Sequence, residues 1–234
     1  MNPRTADILE AVIREFISTG EPVSSGWLFE HHDFGIKPAM IRWELKSLAD
    51  EGFLEQPNYS AGRVPTDRGY EFFANYALEC AKGAEGDERL AGTLLRHAWN
   101  ELSEQLAETL GLLSVVDTAR DIYKGGLEAL IGRLDWQSRS EVTSVIHDFE
   151  ALDARLAAVR ESLFLDEEHP IRVFVGRKSP VTRCDHLSVF AGDYDTGGGD
   201  HVVLLAIGPK RMNYQKVAKI FKGLRAPSNK KQKK

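Results

Sequence analysis

The sequence predicts an α+β fold in two parts: a helical N-terminal part closed by a short β-hairpin, and a C-terminal part in which helices precede a small sheet. Two observations carry this expectation. Apolar residues recur at helical spacing from Ile8 to Leu48 and again from Leu90 to Leu163. Three runs of strand length, Ile171 to Val175, Leu187 to Ala191 and Val202 to Ile207, come only afterwards. Helices followed by a sheet, without strict alternation, argue for α+β. At 234 residues and 42% hydrophobic content, the chain is long enough for one large or two modest packed domains.

The N-terminal elements follow from spacing and caps. Ile8, Leu9, Val12, Ile13, Phe16 and Ile17 stripe one face of a first helix, which Thr19-Gly20 ends. After Pro22 and Val23, Ser24 or Ser25 caps a second helix that runs to about His32. Asp33-Phe34-Gly35 is a turn in which Gly35 is free to take a positive φ. Lys37-Pro38 opens a third helix, because the N–H that proline lacks would be unpaired in a first turn anyway. Ile41, Leu45 and Leu48 mark its buried face. Ala39, Trp43 and Lys46 point the opposite way, with Met40 and Arg42 on the flanks. Gly52 stops the helix. Phe53-Leu54-Glu55 and Arg63-Val64 are short strand candidates around a turn-rich tip from Gln56 to Gly62.

Three helices and a two-stranded wing make a winged helix-turn-helix, an arrangement that reads double-stranded DNA with its third helix. An exposed Trp43 beside Arg42 and Lys46 suits a groove better than bulk water. The groove candidates are Lys37, Ala39, Met40, Arg42, Trp43 and Lys46. The wing candidates are Tyr59, Ser60, Gly62, Arg63 and Thr66, with Gly62 allowing close backbone approach. The formal net charge is −5, but it is unevenly spread: residues 1–76 hold seven Lys and Arg against twelve Asp and Glu, and residues 210–234 hold ten against none. Phosphate affinity is therefore moderate, and a homodimer is expected in order to reach useful occupancy. The competing reading is a winged helix that binds protein, with Met40 and Trp43 as anchors. A third reading keeps the DNA domain and lets the α+β part answer to an unrelated small molecule.

Downstream, an aromatic-rich helix from Tyr70 to about Ala81 packs back on the wing. Lys82 to Gly86 is the domain boundary, giving a winged-helix domain over 1–82, a helical linker plus α+β domain over 87–225, and a basic, disordered tail over 226–234. Leu90, Leu94, Ala98, Leu102, Leu106 and Leu110 repeat every four residues, which predicts one long amphipathic helix packed on its own domain or against another subunit. After Gly125-Gly126, Ser138 or Ser140 caps a helix that carries apolar residues from Val142 to Leu163. A last helix runs from about Asn213 to Leu224 with Tyr214, Val217, Ile220 and Phe221 inward.

Several of these strings resemble the heat-inducible transcription repressor family HrcA. They are TGEPV at Thr19 to Val23, PA-x-IR at Pro38 to Arg42, LEQP at Leu54 to Pro57, and SAGRVPTDRGY at Ser60 to Tyr70. Near the C-terminus, IGPKRMNYQKV at Ile207 to Val217, preceded by CDHLSVFAGDY at Cys184 to Tyr194, is similar to that family's terminal signature. The resemblance implies a repressor of chaperone genes acting as a homodimer at an inverted-repeat operator. It also implies a chaperonin partner that keeps the repressor folded, and a C-terminal domain that is a reduced form of a GAF-like fold. The family usually shows a serine where Lys37 stands, a threonine at Met40, an asparagine at Trp43 and an acid at Asn213. The family's extra strands and dimerising insertion are expected to be missing between Val116 and Ile122.

Other chemistry is expected to be absent. No apolar run has the form of a signal peptide or a membrane span, so a soluble, cytoplasmic chain without membrane contact is expected. Cys80 and Cys184 lack metal or redox spacing. Gly197-Gly198-Gly199 is read as a hairpin loop, since no Lys-Ser/Thr follows it. His31, His32 and Asp33, and the group Asp193, Asp195, Asp200 and His201, are read as solvated polar residues and not as metal ligands. No nucleophile elbow or spaced carboxylate pair is present, so neither a cofactor nor an enzyme is expected.

Overall fold

The computed structural model describes residues 1–59, 61–81, 86–118, 120–134, 139–163, 169–196 and 201–224. They divide into two compact units, Met1–Tyr76 with Arg211–Asn213, and Ala77–Lys210 with the residues from Tyr214 onward. The fold class is α+β.

The first unit contains α1 (Pro3–Thr19), α2 (Ser25–His31), α3 (Pro38–Asp50) and the antiparallel pair β1 (Leu54–Glu55) and β2 (Val64–Pro65). Asn2 caps α1 by accepting from Thr5 N at 2.9 Å, and Ser24 caps α2 by accepting from Trp27 N at 3.1 Å. Ile8, Leu9, Val12 and Ile13 are buried against Leu28, Ile41 and Leu48, all inaccessible to solvent. Burying each such side chain contributes about 1.5–3 kcal/mol. Phe16 and Ile17, at the end of the predicted stripe, are only half-buried. Helix α4 (Asp67–Cys80) begins three residues before the predicted Tyr70, because the Thr66 hydroxyl accepts from Gly69 N at 3.2 Å and so starts the helix.

The second unit contains α5 (Glu88–Leu95), α6 (Trp99–Leu110), β3 (Leu113–Asp117), β4 (Ile122–Gly125), α7 (Leu127–Arg133), α8 (Arg139–Glu150), α9 (Leu152–Leu163), β5 (Ile171–Val175), β6 (Leu187–Asp195), β7 (His201–Pro209) and α10 (Tyr214–Leu224). The five strands form one antiparallel sheet in the order β4-β3-β7-β6-β5. The central strands β6 and β7 pair in register from Leu187 opposite Pro209 to Asp195 opposite His201. One face, with Val115, Val189, Ala191, Leu205 and Ile207, packs with Leu130, Val145, Leu152 and Leu156. On the other face Phe190 meets Tyr214 and Phe221 of α10, with ring centroids 6.0 and 5.9 Å apart. The Tyr194 hydroxyl donates to Phe221 O at 2.8 Å. Covered on both faces, these strands read as continuous apolar runs without alternation.

Three expectations need correction. The predicted long helix over Leu90 to Leu110 is two helices, α5 and α6, because His97 takes φ 56° and closes α5. His97 N donates to Leu94 O at 3.1 Å and Ala98 N to Thr93 O at 3.2 Å, the wrap-around hydrogen bonding of a helix end. The helix expected to run from Val142 to Leu163 is likewise two, α8 and α9, broken at Ala151. The sheet has five strands, not three. The two additional strands, β3 and β4, were not among the strand candidates and pair with Val116 opposite Tyr123. Strand β3 is buried on every residue, so its apolar run carries no period-two signal and blends into the helical pattern before it.

Residues 82–85, where the boundary was expected, lie outside the described residues, as do Ser138, the loop residues 197–200 and the tail from 225 onward.

Candidate nucleic-acid interface

Helix α3 presents the candidate residues on one solvent face. Ile41, Leu45 and Leu48 bury its other side, at 0, 4 and 0% exposure. Lys37, Ala39, Met40, Arg42, Trp43 and Lys46 are all exposed. Met40 keeps 46% and Trp43 61% of its surface in solvent, unusual for large apolar side chains. Among the described residues, Lys37, Arg42 and Lys46 have no carboxylate partner. Lys37 occupies the cap position with φ −76° and ψ 157°, but its side chain makes no capping hydrogen bond, and Met40 N donates to Lys37 O at 2.9 Å. That end of the helix is favourable for an anion.

A residue that periodicity could not flag holds this helix in place. Glu44 lies on α3 yet is only 3% exposed, and it accepts from the Thr5 hydroxyl of α1 at 2.8 Å and from Arg4 Nη2 at 3.5 Å. A buried carboxylate must be hydrogen-bonded to be tolerated, and here the bonding fixes α3 against α1. In the sequence Glu44 looks like any surface acid.

The hairpin is built less symmetrically than the sequence suggests. Tyr59 at its tip is wholly exposed. Gln56 Nε2 donates to Tyr59 O at 3.0 Å and to Ala61 O at 2.9 Å, which shapes the tip. Ser60 lies outside the described residues. Arg63 pairs by backbone with Val23, Val23 N donating to Arg63 O at 2.9 Å and Arg63 N to Val23 O at 2.8 Å. Val23 thus adds a third extended segment, unannounced by the short TGEPV string. The Nε of Arg63 is buried with no hydrogen-bond partner.

Gly62 and Thr66 serve the hairpin itself. A Cβ on Gly62 would meet the Val23 carbonyl at 2.4 Å, so the close approach that needs glycine is internal. The Thr66 hydroxyl donates to Gly52 O at 2.7 Å, fastening β2 to the end of α3. Arg68 Nη1 donates to Glu51 O at 2.6 Å and its guanidinium sits 4.4 Å from the Phe53 ring centre. The structure therefore brings Lys37, Ala39, Met40, Arg42, Trp43 and Lys46 onto one face, and it leaves Gly62 and Thr66 as supports.

The polar groups weighed as metal ligands have other partners. His31 stacks on Trp27 with centroids 4.3 Å apart, and Asp33 Oδ1 accepts from Gly35 N at 2.9 Å. His201 Nδ1 lies 3.1 Å from Asp193 Oδ2. Among the described residues no three His, Cys, Asp or Glu side chains group to hold a metal ion, and no helix is long and apolar enough to cross a membrane. The second unit has a groove of about 360 Å³ lined by His97, Trp99, Arg120, Tyr123 and His201 among others.

The fold is similar to a crystal structure of a hypothetical protein, with a TM-score of 0.72 over 96% of this chain and 95% of that one at 17% identity, which defines the class as an α+β fold of this architecture. The family model described as HrcA protein C terminal domain matches residues 75–218, more than half of the chain, and the chain belongs to the HrcA family. Curated relatives include the heat-inducible transcription repressor HrcA of Streptomyces avermitilis, 37% identical over 114 residues, 49% of this chain and 33% of that protein. The protein of the same name from Moorella thermoacetica is 37% identical over 125 residues, 53% of this chain and 36% of that protein. The matches thus span about a third of the length of these relatives.

Proposed function

We propose that the protein is a sequence-specific transcriptional repressor that binds double-stranded DNA through α3 and the β1–β2 hairpin. The observation that carries this is the outward face of α3, where, among the described residues, Lys37, Arg42 and Lys46 stand without carboxylate partners around Met40 and Trp43. Such a surface is costly in water and complementary to a major groove, whose walls are phosphates and whose floor offers acceptors and methyl groups. The names of the curated relatives support the same reading.

On this reading a homodimer sets two copies of α3 in successive major grooves, about 34 Å apart, on an inverted-repeat operator. Tyr59, Ser60 and Arg63 of the hairpin reach neighbouring phosphates, while Gly62 and Thr66 hold it in position. Repression follows from occupying an operator that overlaps a promoter of heat-shock chaperone genes in the cytoplasm. A chaperonin keeps the repressor folded until heat diverts it, a control that works when a few kcal/mol decides the folded fraction.

Gel shift and footprinting against an inverted-repeat duplex test the proposal. Wild type protects a discrete site, and the pair Arg42→Ala with Arg63→Ala loses more than tenfold in affinity. Binding that is weak, salt-labile and blind to sequence would instead favour a protein-binding module anchored by Met40 and Trp43.

A further inference from the structure

We infer that α3 selects guanine and thymine on the strand it faces, with Met40 and Trp43 packing against thymine 5-methyl groups; this rests on the DNA-binding reading above. The argument is an inventory of what the outward face can offer. Its charged groups are donors only, the guanidinium of Arg42 and the ammonium of Lys46, with Lys37 at the helix start. Adenine and cytosine each present an amino donor in the major groove and need an acceptor opposite. The helix, PAMIRWELKSLAD, contains no Asn or Gln.

Its acceptors are committed elsewhere or displaced. Glu44 is buried and holds the Thr5 hydroxyl at 2.8 Å. The half-buried Ser47 hydroxyl spends its proton on Glu51 Oε1 at 3.2 Å. Asp50 is at the far C-terminal end. What remains best matches bases whose major-groove edge shows acceptors and no amino donor: guanine, through O6 and N7, and thymine, through O4. The apolar half of the face then distinguishes thymine. Met40 and Trp43 are three residues apart, hence neighbours on the helix surface, and Ala39 lies four before Trp43. Their exposure of 46 and 61% leaves apolar area that a methyl group in the groove covers.

The test uses the full chain and a random duplex pool. Sites selected by wild type should carry guanine and thymine, and no required adenine or cytosine, on the strand facing α3. Replacing each protected thymine by deoxyuridine removes only the methyl group. Wild type should lose about fourfold in affinity per critical methyl, the size expected for covering one such group. The exposed double variant Met40→Ala with Trp43→Ala should melt as wild type does and show no loss on uracil replacement. Trp43→Asn should shift one selected position to adenine, since an amide pairs with N6 and N7. If wild type selects a site and binds its all-uracil form equally well, the methyl contact is overturned and the DNA-binding reading stands. If sites require adenine or cytosine opposite α3, the inventory is wrong. If the folded chain enriches no sequence at all, the DNA-binding reading itself fails.

Discussion

At Lys37 the backbone is already in the extended conformation of a helix cap, yet no side-chain oxygen reaches the first-turn N–H groups of α3. Ser24, in the equivalent place on α2, supplies that oxygen. Lys37→Ser should therefore stabilise the first unit by about 1 kcal/mol, read as an upward shift of the denaturant midpoint at constant slope. Thr5→Val should act in the other direction. It strips the buried Glu44 carboxylate of its shortest hydrogen bond and should cost about 1–3 kcal/mol in the same measurement. A loss below a few tenths of a kcal/mol would show that Glu44 has found another partner. Thr5 bears on function by setting the position of α3 through Glu44.

Between elements, the ties are polar and come from residues far apart in sequence. Asp117 of β3 is 2% exposed and is gripped by Arg160 of α9, whose Nε donates to Oδ2 at 2.9 Å. Asp148 of α8 is 4% exposed and accepts from Arg183 N at 2.8 Å and from Cys184 N in the approach to β6. Just before β6, Asp185 accepts from Lys210 Nζ at 3.1 Å, pinning the start of one central strand to the end of the other. Burial works to raise the Asp185 carboxyl, but the hydrogen bond and charge of Lys210, helped by Arg177 and His186, outweigh it and hold the group below the ordinary carboxylate range. A depressed carboxyl stabilises the folded state above its unfolded pKa of about 3.9, and that contribution is lost as pH falls through the folded value. Asp185→Asn should thus unfold at lower denaturant than wild type at pH 7, and the two midpoints should converge near pH 3 and below. A gap that stays constant across that range would remove the Lys210 pairing as its cause.

For the molecule as a whole, the formal net charge of −5 says little about DNA; the placement of charge says more. Residues 1–76 are net acidic, with seven Lys and Arg against twelve Asp and Glu, and their cations Lys37, Arg42 and Lys46 share the outward face of α3. Few phosphates are therefore neutralised, and the salt dependence of binding should be moderate. If Lys37 meets one phosphate in each protomer of a dimer, Lys37→Ser should flatten the plot of log affinity against log salt by about 2 while it raises stability. An unchanged slope would place Lys37 off the backbone.

The three N-terminal helices were determined by the sequence alone, because apolar spacing, proline at Pro38 and a serine at Ser24 or Ser25 act within a few residues of where they stand, while the cap at Asn2 and the choice of Ser24 came from the structure. The exposed face of α3 followed from the same periodicity. Only the tertiary structure decided that Glu44 turns inward, that Gly62 is required by Val23, that His97 ends a helix within a four-residue repeat, and that β3 and β4 complete the sheet. The physical reason is common to all four. Each depends on a partner supplied by packing or backbone closure, and a strand buried on both faces, or an acid satisfied by a distant hydroxyl, leaves no period in its own segment.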